Sequence, residues 1–179
     1  MAQILTCLAL PAPACVRHGV FPDASPPDLP PGLAAHLPQT GTVLWPAESC
    51  PAGRTGQFHP APALRTAAMG EWQGRALKDM PATDLERWVS DPDFAPPGGE
   101  SRSMLMQRVA AWLAELPPAP RHLTALADAT VIRAIVIAAL GGTAAMLPRL
   151  DIAPHSRTVL TRHAMWRVSC TGTPLEESL

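Results

Sequence analysis

Asp128 lies at a position of the sequence where α/β folds commonly place functional residues. It lies in the motif Ala127-Asp128-Ala129-Thr130, a turn between an apolar strand at residues 122–127 and an apolar helix at residues 130–140. Such a turn lies at the carboxyl end of a strand, where open α/β sheets bind their ligands. A carboxylate there can accept hydrogen bonds from the first amides of the helix. We expect Asp128 to cap the helix.

Five segments of the chain resemble, in the same order, the histidine phosphatase (phosphoglycerate mutase-like) superfamily. The segment around Asp128 is similar to the strand-T-H-G-G-V-I-R-A-helix unit of that family, in which the histidine is catalytic. The other four segments read L-R-T-A-A-M-G-E-W-Q-G-R (64–75), P-P-G-G-E-S (96–101), R-V-A-A-W-L (108–113) and L-D-I-A-P-H-S (150–156). The resemblance implies a single α/β domain over residues 1–179, a three-layer α/β/α sandwich with a mainly parallel central sheet.

The start of the chain offers two alternatives for the histidine that the family phosphorylates. In the first, Arg17-His18-Gly19 corresponds to the R-H-G of the family, and His18 is the nucleophile. Two prolines among residues 11–16 argue against a buried strand at that point, because proline cannot donate a hydrogen bond to a neighbouring strand.

In the second alternative, residues 4–10 form the first strand. Residues 8–22, L-A-L-P-A-P-A-C-V-R-H-G-V-F-P, then resemble the C-H-A-A-T-x-A-T-R-x-G-x-F-P segment of family members associated with cobalamin biosynthesis. The position of the phosphorylated histidine falls on Leu10 in this alignment, which we favour.

Phosphoryl transfer through histidine requires a neutral imidazole, cationic groups around the phosphate and a proton donor for the leaving oxygen. The family provides two histidines, two arginines and an acidic residue. In this alignment the first histidine is replaced by Leu10 and the second by Asp128. The second arginine is replaced by Ser49, and the acidic residue by Thr66 (or Ala68 two residues later). Leucine has no nucleophilic atom, so the resemblance implies a catalytically degenerate protein, a pseudoenzyme that binds a ligand or a partner.

Two other hypotheses stay open. The chain is an active phosphomonoesterase if His18 is the nucleophile and if Arg17 and Arg54 bind the phosphate. It is an accessory protein of a cobalamin or metal pathway if the resemblance to the cobalamin-associated branch extends to function. Arg17 is the best candidate for binding an anion, and His155 is a second candidate for facing the cleft from the turn Pro154-His155-Ser156.

The composition is that of an ordinary globular domain and narrows the choice of partner. The chain has 179 residues, of which 47% are hydrophobic and 16% charged, with a formal net charge of -1. This charge gives no electrostatic basis for binding nucleic acid or an anionic membrane. The four cysteines form no C-x-x-C pair, so we expect free thiols in a cytoplasmic protein without metal or cofactor. A small anion or a protein remains as the expected partner.

Apolar periodicity and turn residues predict the elements that position these residues. Strands are predicted at residues 4–10, 42–45, 63–67, 122–127, 157–161 and 165–169, and helices at residues 32–37, 83–90, 101–116, 130–140 and 143–147. The proline-rich residues 11–31 and the glycine-containing residues 46–62 are predicted as loops. Thr83 and Glu86 have the spacing of a capping box, and Glu100 and Ser101 are expected to cap the helix at residues 101–116.

Overall fold

The computed structural model describes residues 2–23, 25, 27–47, 51 and 57–175. Its strands are β1 (Gln3–Ala9), β2 (Thr42–Trp45), β3 (Phe58–Pro60), β4 (His122–Ala127), β5 (Ser156–Arg162) and β6 (Trp166–Pro174). They form one six-stranded sheet in the order β3-β2-β4-β1-β5-β6. The pairs from β3 to β1 are parallel, and the pairs β1–β5 and β5–β6 are antiparallel.

Five α-helices and four 3₁₀ segments connect the strands within the described ranges. The helices are α1 (Ala14–Arg17), α2 (Pro31–Ala34), α3 (Ala82–Ser90), α4 (Arg102–Glu115) and α5 (Ala129–Ala139), and the 3₁₀ segments are Pro62–Leu64, Gly70–Trp72, Leu77–Asp79 and Ala144–Arg149. Helix α4 begins where the Ser101 hydroxyl accepts a hydrogen bond of 3.1 Å from the Met104 amide. It ends before the two prolines that follow Leu116, because proline cannot continue a helix.

The side chains of β1 alternate between the two faces of the sheet. Leu5, Cys7 and Ala9 pack in a cluster with α4 and α5. Leu8 and, just beyond the strand, Leu10 pack in a second cluster on the opposite face. The other buried members of that second cluster are Leu33, Val43, Trp45, Phe58 and Leu126. Helices α4 and α5 thus form one layer, and the one-turn helix α2 with its flanking residues covers the other face.

A third apolar cluster stabilises the loops at the carboxyl ends of the parallel strands. Phe21 packs against Trp72 with ring centroids 5.1 Å apart and against Trp88 at 5.5 Å. Phe94, in the loop that follows α3, packs against Trp72 with ring centroids 6.0 Å apart. Edge-to-face and tilted aromatic pairs of this kind stabilise by about 0.5–1.5 kcal/mol beyond the area they bury.

The predicted α/β fold with a mainly parallel sheet is confirmed, and three local predictions are wrong. Residues 63–67 are no strand, because Pro62 begins a 3₁₀ turn that ends at Leu64. Strand β3 lies in a segment predicted as loop, and its three residues are too few to give an alternating pattern. Helix α1 interrupts the predicted loop at residues 11–31.

The capping box predicted for α3 is also absent. The N-cap residue of this helix is Pro81, and no side chain caps it. The helix therefore begins one residue before Thr83, whose hydroxyl lies too far along the chain to serve as the cap.

Two glycines in the segment of residues 64–75 allow a direct test of loop packing. Gly70 has a φ of +52°, and a Cβ added there would overlap the carbonyl oxygen of Pro97. Gly74 has a φ of +71°, but a Cβ added there would meet nothing within 4 Å. The Glu71 amide donates to the same Pro97 oxygen over 2.9 Å. The loops of residues 64–75 and 96–101 are thus in backbone contact at Gly70.

We predict that Gly70→Ala lowers the free energy of unfolding by about 3 kcal/mol or more, because strain and a backbone overlap add together. Gly74→Ala is the matched control and should lose about 1 kcal/mol, from the positive φ alone. Urea denaturation of both variants measures the difference. Equal losses would contradict the close approach of the two loops.

Candidate functional site

The parallel pairing of β1 with β4 brings Leu10 and Asp128 to the same point of the sheet. Ala9 lies opposite Ala127 in this pairing, and the Leu10 amide donates a hydrogen bond of 2.8 Å to the Ala127 carbonyl oxygen. Leu10 and Asp128 are therefore the first residues beyond two adjacent parallel strands. Leu10 is buried, with 3% of its surface exposed.

Asp128 caps helix α5, as the sequence predicts. Its Oδ1 accepts a hydrogen bond of 2.9 Å from the Val131 amide, and its carbonyl oxygen accepts one of 3.0 Å from the Ile132 amide. Its Oδ2 is buried and has no hydrogen-bond partner among the described residues. One carboxylate oxygen thus stabilises the helix, where the positive end of the helix dipole also favours negative charge.

Two cavities meet at Leu10, Asp128 and Thr66, which line both. The first, here called the Arg17 cavity, has a volume of about 630 Å³ and is lined by Arg17, many prolines and the loop of residues 64–69. The second, here called the Arg133 cavity, has a volume of about 540 Å³ and is lined by Arg133 and mostly apolar side chains. Both volumes are in the range of small-molecule sites.

Acidic side chains outnumber basic ones around the Arg17 cavity. Arg17 and Arg65 line it together with Asp23, Asp28 and Asp128. Hydrogen bonds from the Ser25 hydroxyl and amide hold the pKa of Asp23 below its usual range, so this carboxylate is charged at neutral pH. A phosphate dianion in this cavity would meet three carboxylates as well as two guanidinium groups, and the carboxylates oppose its binding.

Glu100 links three segments beneath the cleft. The guanidinium of Arg108 contacts its two carboxylate oxygens over 2.8 and 2.7 Å. The same guanidinium donates to the carbonyl oxygens of Ala63 and Arg65. This bidentate pair is largely buried and positions the residues that precede Thr66. Ser101 caps α4 as predicted, whereas Glu100 has this different role.

The pKa of Glu100 follows from this pairing. Desolvation of the buried carboxyl group favours its neutral form, but hydrogen bonding and charge from Arg108, with the charge of Arg65, outweigh it. The pKa of Glu100 therefore lies below its usual value, and the pair is ionic at neutral pH.

Comparison with known proteins identifies the fold family. The model of the family described as histidine phosphatase superfamily (branch 1) matches residues 47–169. The chain belongs to this superfamily. No curated protein sequence matches it.

Solved structures share the histidine phosphatase fold of this chain. Alpha-ribazole phosphatase from Shigella flexneri is 16% identical, with 98% of this chain and 100% of that chain covered at a TM-score of 0.75. Mycobacterial glucosyl-3-phosphoglycerate phosphatase is 21% identical, with 96% and 98% covered at a TM-score of 0.68. Mycobacterial hydrolase 1 is 24% identical, with 98% and 100% covered at a TM-score of 0.71. Such low identities establish a common fold.

The sequence-predicted positions of this histidine phosphatase superfamily member fall into three groups. Leu10, Thr66 and Asp128 come together at the junction of the two cavities, and Arg17 and Ala68 line the Arg17 cavity. Ser49 and Arg54 lie outside the described residues.

The two predicted histidines do not line either cavity. His18 follows α1, is exposed, and donates its amide proton to the Cys15 carbonyl oxygen over 3.0 Å. His155 is also exposed and has a φ of +54°, and its amide donates to the Ala9 carbonyl oxygen over 3.0 Å. The backbone of His155 thus contacts the end of β1, but His155 is not among the residues that line the two cavities.

Three arginines that line the cavities were not predicted as site residues. Arg65 lines the Arg17 cavity, and Arg102 and Arg133 line the Arg133 cavity. Arg133 carries a signal in the sequence, because it is the lone charged residue of an otherwise apolar helix. Arg65 and Arg102 carry no such signal, since solvated loops and helix starts commonly contain arginine.

The described cysteines are one buried thiol and two partly exposed thiols. Burial raises the pKa of the Cys7 thiol to about 12, so it is a protonated, weakly nucleophilic thiol at neutral pH. Cys15 and Cys170 are free thiols. Among the described residues, no three His, Cys, Asp or Glu side chains lie close enough together to hold a metal ion. In the same ranges, no helix has the length and hydrophobicity needed to cross a membrane.

The capping role of Asp128 predicts a specific pattern of stability. Asp128→Ala should lower the free energy of unfolding by about 1 kcal/mol, because the Val131 amide loses its acceptor. Asp128→Asn should retain most of the stability, because the amide oxygen accepts the same hydrogen bond. Urea denaturation distinguishes the two variants. If both lose the same amount, the charge rather than the cap is what stabilises the helix.

The Glu100–Arg108 pair predicts a pH dependence. Since its pKa in the folded state is lowered, Glu100 stabilises the fold above its unfolded pKa, near 4.5, and this stability is lost as the pH falls through the folded pKa. The difference in unfolding free energy between the wild type and Glu100→Gln should be largest at neutral pH and should shrink on acidification. Denaturation at several pH values measures it, and a gap that stays constant below pH 4.5 would refute the prediction.

Proposed function

We propose that this histidine phosphatase superfamily member does not transfer phosphate through a histidine and instead binds a ligand or a protein partner in its cleft. The observation that carries the proposal is the position of Leu10. Leu10 directly follows β1 and lines both cavities. Its side chain packs in the apolar cluster with Leu33 and Val43. A hydrocarbon side chain cannot attack phosphorus or hold a phosphoryl group.

The charge at the neighbouring position supports the same proposal. Asp128 is the residue that the sequence resemblance aligns with the second histidine of the family, and its carboxylate caps α5. A negative charge there raises the energy of a bound phosphate dianion and of a transition state with charge on the phosphoryl oxygens. A histidine in the same place would lower both energies.

The third matched position also lacks the required group. Thr66 lines both cavities, but a threonine hydroxyl is far too weak an acid to protonate a leaving alkoxide at neutral pH. Arg17 keeps a cationic group at the rim of the Arg17 cavity. This arrangement supports binding of a ligand or partner and gives no support to bond cleavage.

Active phosphomonoesterase function is the second candidate. It is favoured by the names of the similar structures, which include an alpha-ribazole phosphatase and a glucosyl-3-phosphoglycerate phosphatase. It would use His18, whose neighbour Arg17 lines the cavity. The imidazole would have to move from the exposed end of α1 towards the cleft. A cobalamin-pathway role stays a prediction, since identity of 16% to the alpha-ribazole phosphatase supports fold alone.

Hydrolysis of p-nitrophenyl phosphate separates the two candidates. We expect no turnover above the protein-free rate between pH 5 and pH 8, a range we choose because an imidazole nucleophile titrates within it. His18→Ala and His155→Ala serve as matched variants, since both histidines are exposed and neither lines a cavity.

One result would overturn the proposal and support the phosphatase. It is a turnover that disappears in His18→Ala and persists in His155→Ala. Circular dichroism of the three proteins verifies that the variants are folded.

A further inference from the structure

The walls of the Arg133 cavity are suited to a hydrocarbon or aromatic body. They include Val16, Phe21, Leu77, Trp88, Leu105 and Leu147. Val16 and Leu77 are large apolar side chains with 43% and 39% of their surface exposed, so they lie where the cavity opens. A ligand that covers them would remove apolar surface from water, which is favourable by about 25 cal/mol for each Å².

Arg133 adds an unpaired cation to this apolar wall. Its guanidinium contacts the Thr130 hydroxyl at 3.0 Å and the carbonyl oxygens of Ala129 and Leu150 at 3.4 and 3.5 Å. No carboxylate pairs with it among the described residues. A guanidinium stays charged at any ordinary pH. The hydrogen bonds of this half-buried charge thus go to neutral oxygens, and an anion would bind it through a stronger, charge-assisted hydrogen bond.

Arg102 is a second cation on the same cavity. One of its terminal nitrogens donates to the Val89 carbonyl oxygen over 2.9 Å, and its Nε is buried without an acceptor in the described part of the chain. Like Arg133, it has no carboxylate partner there.

Glu100 and Asp128 also line the Arg133 cavity, which gives two carboxylates for its two guanidinium groups, whereas the Arg17 cavity has three carboxylates for two. Both carboxylate oxygens of Glu100 accept hydrogen bonds from the guanidinium of Arg108. Oδ1 of Asp128 accepts a hydrogen bond from the Val131 amide, and Oδ2 is buried from solvent. The amides at the start of α5 partly offset its charge. Two guanidinium groups thus line this cavity, and neither is held in an ion pair among the described residues.

We propose that the Arg133 cavity binds an amphipathic monoanion, a carboxylate attached to a hydrocarbon or aromatic body. The apolar body lies against Phe21, Trp88 and Leu147, and the carboxylate binds Arg133, while Arg102 lines the same cavity. The inference rests on the proposed function in one respect, that the cleft serves binding. It goes further by naming the chemical class of the ligand.

Decanoate is the probe that tests this inference, with decylammonium as the matched probe of opposite charge. Both are titrated below their micellar range while Trp88, which lines the cavity, reports binding through tryptophan emission. We expect saturable binding of decanoate that is at least about tenfold tighter than that of decylammonium, which corresponds to about 1.4 kcal/mol.

Three variants locate the binding site. Arg133→Gln should weaken decanoate binding about tenfold or more, and Arg133→Lys should weaken it less, because the charge is kept. Arg149→Gln removes an exposed arginine two residues beyond Leu147 that does not line the cavity, and it should bind decanoate like the wild type.

Three outcomes would overturn the inference. Decanoate does not bind, or decylammonium binds as tightly, or Arg133→Gln and Arg149→Gln bind decanoate alike. If Arg133→Gln does not fold, the comparison of the two probes on the wild type and the Arg133→Lys variant still decides. Failure of the proposed function is seen separately, as phosphate ester turnover that depends on His18, whether or not decanoate binds.

Discussion

The parallel register between β1 and β4 is the constraint on which the site depends. Ala9 lies opposite Ala127, and the Leu10 amide donates to the Ala127 oxygen, so the two strands end side by side. A shift by one residue would turn Leu8 and Leu10 from the α2 face to the face packed by α4 and α5. Buried apolar side chains on both faces oppose such a shift. The sheet thereby fixes Leu10 next to Asp128.

Both residues at this point have roles that require no substrate. Leu10 is buried in the apolar cluster of the second face, and burial of a leucine stabilises by about 1.5–3 kcal/mol. Asp128 caps α5. Catalytic residues in such positions commonly reduce stability, because they are polar groups held in partly desolvated clefts. In the proposed account, a buried leucine and a capping aspartate occupy these positions and stabilise the fold. The arginines that line the two cavities then serve to bind a ligand.

Long, strongly patterned elements could be predicted from the sequence, whereas the charge environment of the cleft could not. Strand β4 has the predicted bounds, since continuous apolar runs bounded by turns are reliable signals. Strand β3 and helix α1 could not be predicted, because each has too few residues to show a periodic pattern of apolar side chains. The Glu100–Arg108 pair is formed within one sequence region, but the contacts of Arg108 with residues 63 and 65 depend on how the loops fold. Strand β1 itself, at Gln3–Ala9, agrees with the alternative favoured from the sequence, in which residues 4–10 form the first strand.

The most direct measurement of the central claim is the mass of the intact protein after incubation with p-nitrophenyl phosphate. Quenching at alkaline pH preserves phosphohistidine, which is labile in acid. The account predicts that the mass is unchanged, because the residue directly after β1 is Leu10, which cannot accept a phosphoryl group. A species heavier by one phosphoryl group, with the modification mapped to His18 by fragmentation, would contradict it.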